Sequence, residues 1–210
     1  MKLYSYWRSS ASWRVRTALA YKGLSYEYVA VHLTRDGGEQ HREAYREKNP
    51  MRQVPTLELD DGRTLAQSVA ILEYLEEVFP EPPLLPRDPY LRGKVRQLVE
   101  IVNAGIQPFQ NLSTTHKLRE LGVDADAWVK EWIRRGLEAF EREVAQTAGR
   151  FCVGDSPTFA DVVLVPQCYS SRRFGVDLTP YENILKIEKN CLELDAFRRA
   201  HPEAQPDAER

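Results

Sequence analysis

Between residues 80 and 89 stand five prolines: Pro80, Pro82, Pro83, Pro86 and Pro89. Each ring fixes its own φ and restricts the residue before it, so no helix or strand interior can run through the segment. It reads as a semi-rigid linker. This divides the chain into residues 1–80, a connection at 81–89, and residues 90–210. The two sides carry different patterns.

Upstream, strand and helix signals alternate. Lys2-Leu3-Tyr4-Ser5-Tyr6 alternates as a strand does, and Val15 to Lys22 reads as a helix stopped by Gly23. Ser25 to His32 is rich in β-formers, and a strand–helix–strand order implies a right-handed parallel crossover. Thr34 to Gly38 reads as a loop, and Glu39 to Lys48 as a short helix broken by Asn49-Pro50. Val54 to Leu59 is a strand. Asp61-Gly62 is a hairpin signal, so Arg63 to Ala66 is expected antiparallel to it. Gln67-Ser68 opens a helix that ends at Phe79-Pro80. The order β-α-β, then α-β-β-α, is that of a small α/β sheet domain.

Downstream the pattern is helical. Val95, Leu98, Val99, Val102 and Ile106 share one helix face. Asp124 or Asp126 starts a second helix, whose apolar stripe is Val129, Trp132, Ile133, Leu137, Phe140 and Val144. Thr158 and Asp161 have capping-box spacing. The run Val162 to Val165 is apolar on all sides, so this third helix is expected to be central, with a kink at Pro166. Thr179-Pro180 opens a short helix and Cys191 to Arg199 forms a last one. The polar tail from Pro202 is expected to be loose.

Composition narrows the function classes. A formal net charge of −2 gives no general attraction to nucleic acid or an anionic membrane. No apolar run approaches the roughly 20 residues of a spanning helix, and no signal peptide is expected. Three widely spaced cysteines suit a reducing, cytoplasmic compartment rather than a disulfide framework. The four histidines have no metal-ligand spacing, so no metal site is expected.

The chemistry-bearing stretch is Trp7-Arg8-Ser9-Ser10-Ala11-Ser12-Trp13-Arg14. It places two adjacent hydroxyls where a strand ends and a helix begins. A helix start presents unpaired N–H groups and partial positive charge. Hydroxyls there can cap the helix or donate to an anion, including a thiolate.

That stretch resembles the serine-rich signature of the zeta-class glutathione transferases, the maleylacetoacetate isomerase family. Asn49-Pro50-Met51-Arg52-Gln53-Val54-Pro55-Thr56-Leu57, Gln67-Ser68, Gln107-Pro108-Phe109-Gln110-Asn111-Leu112-Ser113, Val176-Asp177-Leu178-Thr179-Pro180-Tyr181 and Gln205-Pro206-Asp207 are similar to that class as well. The similarity spans essentially the whole chain. One departure stands out: Ala11 occupies the position where the class usually has cysteine, which excludes a mechanism needing a protein thiol there.

The resemblance implies a thioredoxin-like α/β N-terminal domain that binds glutathione, followed by an all-α substrate domain. It implies a homodimer and a glutathione-dependent isomerisation of maleylacetoacetate, with conjugation of small α-halo acids as a side activity. Maleylpyruvate isomerisation and a non-catalytic glutathione-fold ligand carrier are the alternatives. Ser9 and Ser10 are implied to hold the glutathione sulfur as thiolate, against the plain reading of one serine as an N-cap. Val54, before a cis proline, is implied to pair with the cysteinyl unit, where the local reading is an edge-strand proline. Gln67 and Ser68 take the γ-glutamyl carboxylate, or Ser68 simply caps a helix. Gln40 contacts the glycyl end, or is a solvent-exposed glutamine. Gln107, Asn111 and Ser113 line the cleft, or form a polar dimer surface. Arg8 and Arg173 are implied to meet a dicarboxylate or keto-acid substrate, because a guanidinium fork grips a carboxylate through two bonds; a solvated surface charge is the plain alternative.

Overall fold

A computed structural model describes residues 1–209 of the chain. It holds two compact units. One spans Met1–Pro83 together with the segment that begins at Leu194; the other spans Leu84–Glu193. The C-terminal segment thus packs with the first unit, whereas the linker pattern grouped it with the helical region.

In the first unit, β1 (Lys2–Ser5) leads into α1 (Ser10–Tyr21), and β2 (Glu27–Ala30) follows. The polar stretch after it holds two single 3-10 turns and the short α2 (Glu43–Arg46), not the continuous helix expected from Glu39. Then come β3 (Thr56–Glu58), β4 (Thr64–Ala66) and α3 (Ser68–Val78). The strand order is β2-β1-β3-β4. β1 and β2 are parallel, as the crossover rule demands. β3 runs antiparallel to both neighbours. Leu3, Val15, Leu19, Leu57, Ile71, Leu72 and Leu75 are fully buried between sheet and helices. Each is worth about 1.5–3 kcal/mol of transfer free energy. Lys22 fastens the end of α1 to the end of α3, with Nζ 2.7 Å from Glu76 and donating to the carbonyls of Phe79 and Pro82.

α1 begins earlier than the apolar pattern suggested. Ser10, Ser12 and Trp13 are helical and buried, with Ser9 as the N-cap. The tail is not loose either. α10 (Asp195–Ala200) packs on α1, and the residues after it are tied down by Asp207 and Glu209. These contacts join residues about two hundred positions apart, which no local pattern encodes.

The second unit is helical: α4 (Pro89–Asn103), α5 (Gln107–Gln110), α6 (Leu112–Glu120), α7 (Ala125–Val144), α8 (Phe159–Arg173) and α9 (Glu182–Leu192). Asp124 caps α7, accepting from the amides of Asp126 and Ala127 at 3.0 Å. α8 carries the capping box and runs unbroken past Pro166, and Phe159 to Cys168 are all buried. Gly136 lets α7 approach closely, since a Cβ there would stand 2.2 Å from Ile106. Two expectations shift. The helix after Thr179-Pro180 begins at Glu182, and the region from Cys191 is split between α9 and α10. Trp132 is only half buried, stacked on Phe109 with centroids 3.8 Å apart.

Candidate active site

The sheet gathers one set of residues by register. Tyr4 pairs with Thr56 and Thr56 with Ala66. The C-terminal end of β1, the N-terminal end of β3 and the C-terminal end of β4 therefore meet at one edge. Ser5 pairs with Ala30, which brings the end of β2 there too. Ser9 follows β1, Gln40 follows β2, Val54 precedes β3, and Gln67-Ser68 follow β4. Ligands of open α/β sheets bind beyond such strand ends.

Ser9 has an extended backbone, and its Oγ accepts the Ser12 amide at 3.2 Å. That fixes the hydroxyl at the start of α1. Ser10 is the first helical residue and is buried. Ser12 Oγ is buried without a partner. Val54 precedes a cis peptide bond to Pro55. It is buried beside Tyr6 and Trp7, and its N–H and C=O have no partner among the described residues. Gln40 is buried, not solvent-exposed. Its Nε2 donates to the Leu33 carbonyl at 3.1 Å, while Oε1 has no partner. Gly38, at φ 97°, allows this fold-back, because a Cβ would collide with the Gln40 amide.

Gln67 is a non-glycine residue at φ 70° and ψ 114°. Such backbone costs about 1–3 kcal/mol and concentrates at functional sites. Ser68 then starts α3, and its buried Oγ accepts from Arg14 at 3.1 Å. Arg14 is 1% exposed, so a cation from α1 lies under the start of α3. Arg16, also 1% exposed, donates to Ser5 Oγ and to the carbonyls of Tyr6, Trp7 and Ala200. Burial lowers its pKa to about 10. Sequence reasoning gave neither arginine a role, because a charged residue reads locally as surface. Arg8 is half buried, its guanidinium 5.4 Å from the Trp7 ring centre.

In the second unit the expected residues are engaged with each other. Asn111 caps α6, its Oδ1 accepting from the Ser113 amide and hydroxyl at 3.1 Å each. Gln107 Oε1 accepts from Gln110, whose amide forms a reciprocal pair with the fully buried Gln167. Arg173 is exposed at the end of α8, 5.8 Å from the Phe174 ring centre. All three cysteines are buried, and burial pushes each thiol well above its ordinary range. Burial therefore disfavours a thiolate at each. Among the described residues no cluster could hold a metal, and no helix is long and apolar enough to cross a membrane.

The model of the family "Glutathione S-transferase, N-terminal domain" matches residues 3–83. A probable maleylacetoacetate isomerase of Drosophila melanogaster is 51% identical, over 98% of this chain and 89% of its own. A solved maleylacetoacetate isomerase of Anaeromyxobacter dehalogenans, with glutathione bound in its active site, is 52% identical with a TM-score of 0.91, covering 99% of this chain and 97% of that one. A holo maleylpyruvate isomerase, described as a bacterial zeta-class glutathione transferase, is 47% identical with a TM-score of 0.95 over 100% of both chains. The chain belongs to the glutathione transferases and, within them, to the zeta class that holds the maleylacetoacetate isomerases.

Proposed function

We propose that the chain is a glutathione-dependent cis–trans isomerase converting maleylacetoacetate to fumarylacetoacetate. The observation that carries this reading is the state of Ser9. Its oxygen takes the Ser12 amide, so its own O–H is left to donate outward from the start of α1. A free thiol has a pKa of about 8.5, and each unit of lowering requires about 1.4 kcal/mol in favour of the thiolate. A positioned hydroxyl on a helix N-terminus supplies interaction of that order.

The residues fit a tripeptide ligand. The unpaired N–H and C=O of Val54 suit the cysteinyl unit, as a strand edge suits an extended peptide. The start of α3, with Gln67, Ser68 and Arg14 beneath it, suits the γ-glutamyl carboxylate. The orphaned Gln40 Oε1 is an acceptor toward the glycyl end. Ser10 supports Ser9.

Glutathione, when bound, supplies a thiolate that adds reversibly to the conjugated double bond, so that rotation occurs about a bond that is temporarily single. The chain's own task is to keep the sulfur ionised through Ser9 and to stabilise negative charge that develops on the substrate carbonyl. Arg8, beside the start of α1, takes that second role, and Arg173, at the end of α8, is assigned a guanidinium's part toward a carboxylate. No protein residue is covalently modified, which agrees with Ala11 at the position of the class cysteine.

The first unit is accordingly the glutathione-binding domain and the helical unit the substrate domain. The protein works as a cytoplasmic homodimer, with conjugation of α-halo acids as a side activity. Maleylpyruvate is the competing substrate, favoured by the similarity to the maleylpyruvate isomerase.

Ser9→Ala tests the reading. Turnover of maleylacetoacetate with glutathione should fall about 10²–10³-fold, as it does when one charge-stabilising donor is removed, while glutathione still binds. Unchanged turnover removes Ser9 from the mechanism. Running maleylacetoacetate and maleylpyruvate in parallel, each with and without glutathione, fixes the substrate by the larger kcat/KM.

A further inference from the structure

We propose that Asp207, in the segment after α10, is a positioning residue for Ser9: its carboxylate holds the turn that carries the serine out of β1. The inference rests on the role given to Ser9 above.

Asp207 Oδ2 accepts the Trp7 amide at 3.1 Å, and its Oδ1 accepts the Tyr28 hydroxyl at 2.6 Å. The Trp7 carbonyl accepts Arg16 Nη2 at 2.9 Å. Both sides of Trp7 are therefore clamped, by a carboxylate on the N–H and a guanidinium on the C=O. The clamp reaches Ser9 within two residues. The Tyr6 carbonyl takes Arg16 Nη1 at 3.2 Å and the Ser9 amide at 3.0 Å, so one oxygen is shared between the clamp and the serine backbone. Arg16 Nε ends on the Ala200 carbonyl at 3.1 Å, which ties the same bracket to α10.

Two of the components, Trp7 and Arg16, are out of water, while Asp207 and Tyr28 are half-buried. Trp7 is 7% and Arg16 1% exposed. A buried amide without an acceptor is costly, so Trp7 would rotate or admit water if the carboxylate left. Burial lowers the pKa of Arg16, and the Asp207 carboxylate is among the groups that oppose this by favouring its cationic form. Tyr28 is itself pushed up, first by burial and then by its bond to Asp207, so it stays a hydroxyl donor.

The neighbouring residues act in the same sense. Ala208 packs against the cluster of Tyr6, Trp7, Val31, Tyr45 and Val54. Glu209 is 2.8 Å from His32 Nε2, and His32 Nδ1 accepts the amides of Thr34 and Arg35, so Nε2 is the donor. The His32 amide donates to Glu39, the residue before Gln40. A segment distant in sequence thus braces two loops of the proposed glutathione site.

The test compares Asp207→Ala, Asp207→Asn, Asp207→Glu and Ser9→Ala in the full-length protein. The readouts are the ultraviolet thiolate absorbance of bound glutathione against pH, kcat, and KM for glutathione. Asp207→Ala should raise the pKa of the bound thiol by about one unit. It should lower kcat about tenfold, the rate equivalent of that one-unit loss of thiolate stabilisation, with KM changed less than about threefold. Asp207→Asn should restore both, because the amide oxygen accepts from Trp7 while its NH2 donates to the Tyr28 oxygen. Asp207→Glu keeps the charge but displaces the turn, so it should shift the thiol in the same direction as alanine; it serves if the alanine variant does not fold.

Wild-type thiol titration in the alanine and glutamate variants, even with a lowered melting temperature, overturns the proposal in favour of a purely structural brace. Equal impairment by alanine and asparagine overturns it as well, since charge rather than placement would then matter. If Ser9→Ala leaves the thiolate signal intact, the parent reading fails. If Ser9→Ala abolishes that signal and Asp207→Ala does not move it, only this inference fails.

Discussion

The two units hold their expected site residues in opposite states. At the sheet edge of the first, polar groups end without partners among the described residues: the peptide groups of the buried residue Val54 are unpaired, and Gln40 Oε1 is buried and unpaired. In the helical unit Asn111 and Ser113 satisfy each other, and Gln107 closes a chain of amides through Gln110 to Gln167. Buried polar groups are normally paired, so the first pattern points to a partner from outside and the second to self-sufficiency. The lesson is physical. A sheet edge fixed by register can hold unpaired peptide groups rigidly for a peptide-like ligand, whereas a helix break spends its amides on capping itself.

The largest effect that could break this contrast lies at Arg14. Arg14→Met removes a buried donor from Ser68 Oγ and a cation from the start of α3. Stability should fall by about 2–4 kcal/mol. Glutathione affinity, measured by titration calorimetry on the folded fraction, should fall at least about tenfold, the equivalent of 1.4 kcal/mol. Full affinity in a destabilised variant would separate Arg14 from ligand binding and leave it a core residue only.

Much of the first unit was legible because its signals are local. A serine between an alternating run and a helical run became the N-cap of α1, and Asp61-Gly62 became the β3–β4 turn; in the helical unit, Thr158 with Asp161 became a capping box for the same reason. What stayed illegible depends on distant partners. Arg14 and Arg16 are charged, yet almost fully buried, because acceptors from α3, β1 and α10 surround them. The tail looked loose because its composition is polar, yet Asp207 and Glu209 find Trp7, Tyr28 and His32 far upstream. The positive φ of Gln67 had no signal, since glutamine is not a residue that marks such backbone. In the helical unit the apolar stripe predicted the core, but no periodicity reports whether Asn111 points to a ligand or to its own helix.

The self-sufficiency of the helical unit is tested next, at Gln167. Gln167→Leu leaves the buried Gln110 amide without its reciprocal partner and should cost about 1–3 kcal/mol. Adding Gln110→Leu removes the stranded amide, so the double variant should recover part of that loss in a denaturant-melt double-mutant cycle. Strict additivity would mean the pair is not coupled. If Gln107 acts mainly within this chain, glutathione affinity should stay near wild type in the double variant. A large loss would show that the amide chain orients Gln107 for the ligand and that the contrast between the units is shallower than their hydrogen bonds suggest.

The smallest effect concerns the far end of the same sheet, where Lys48 Nζ is 2.7 Å from Glu58 and the Tyr4 hydroxyl donates to the same carboxylate at 2.9 Å. Lys48 and then Tyr4 hold Glu58 below the usual carboxylate range. A depressed carboxylate contributes stability above its unfolded pKa of about 4.3, and that contribution is lost as pH falls through the lower folded value. The groups are partly exposed, so solvent screening limits the gain to less than about 1 kcal/mol. Glu58→Gln should therefore be slightly less stable than wild type at neutral pH, less so in high salt, and the gap should close in acid. Thermal melts at pH 7 and pH 3 measure it. Glutathione affinity should not change, because Glu58 stands at the end of β3 opposite Val54. A loss of affinity would mean that charge at one end of the sheet is felt at the other, and the ligand edge could not then be treated as set by backbone register alone.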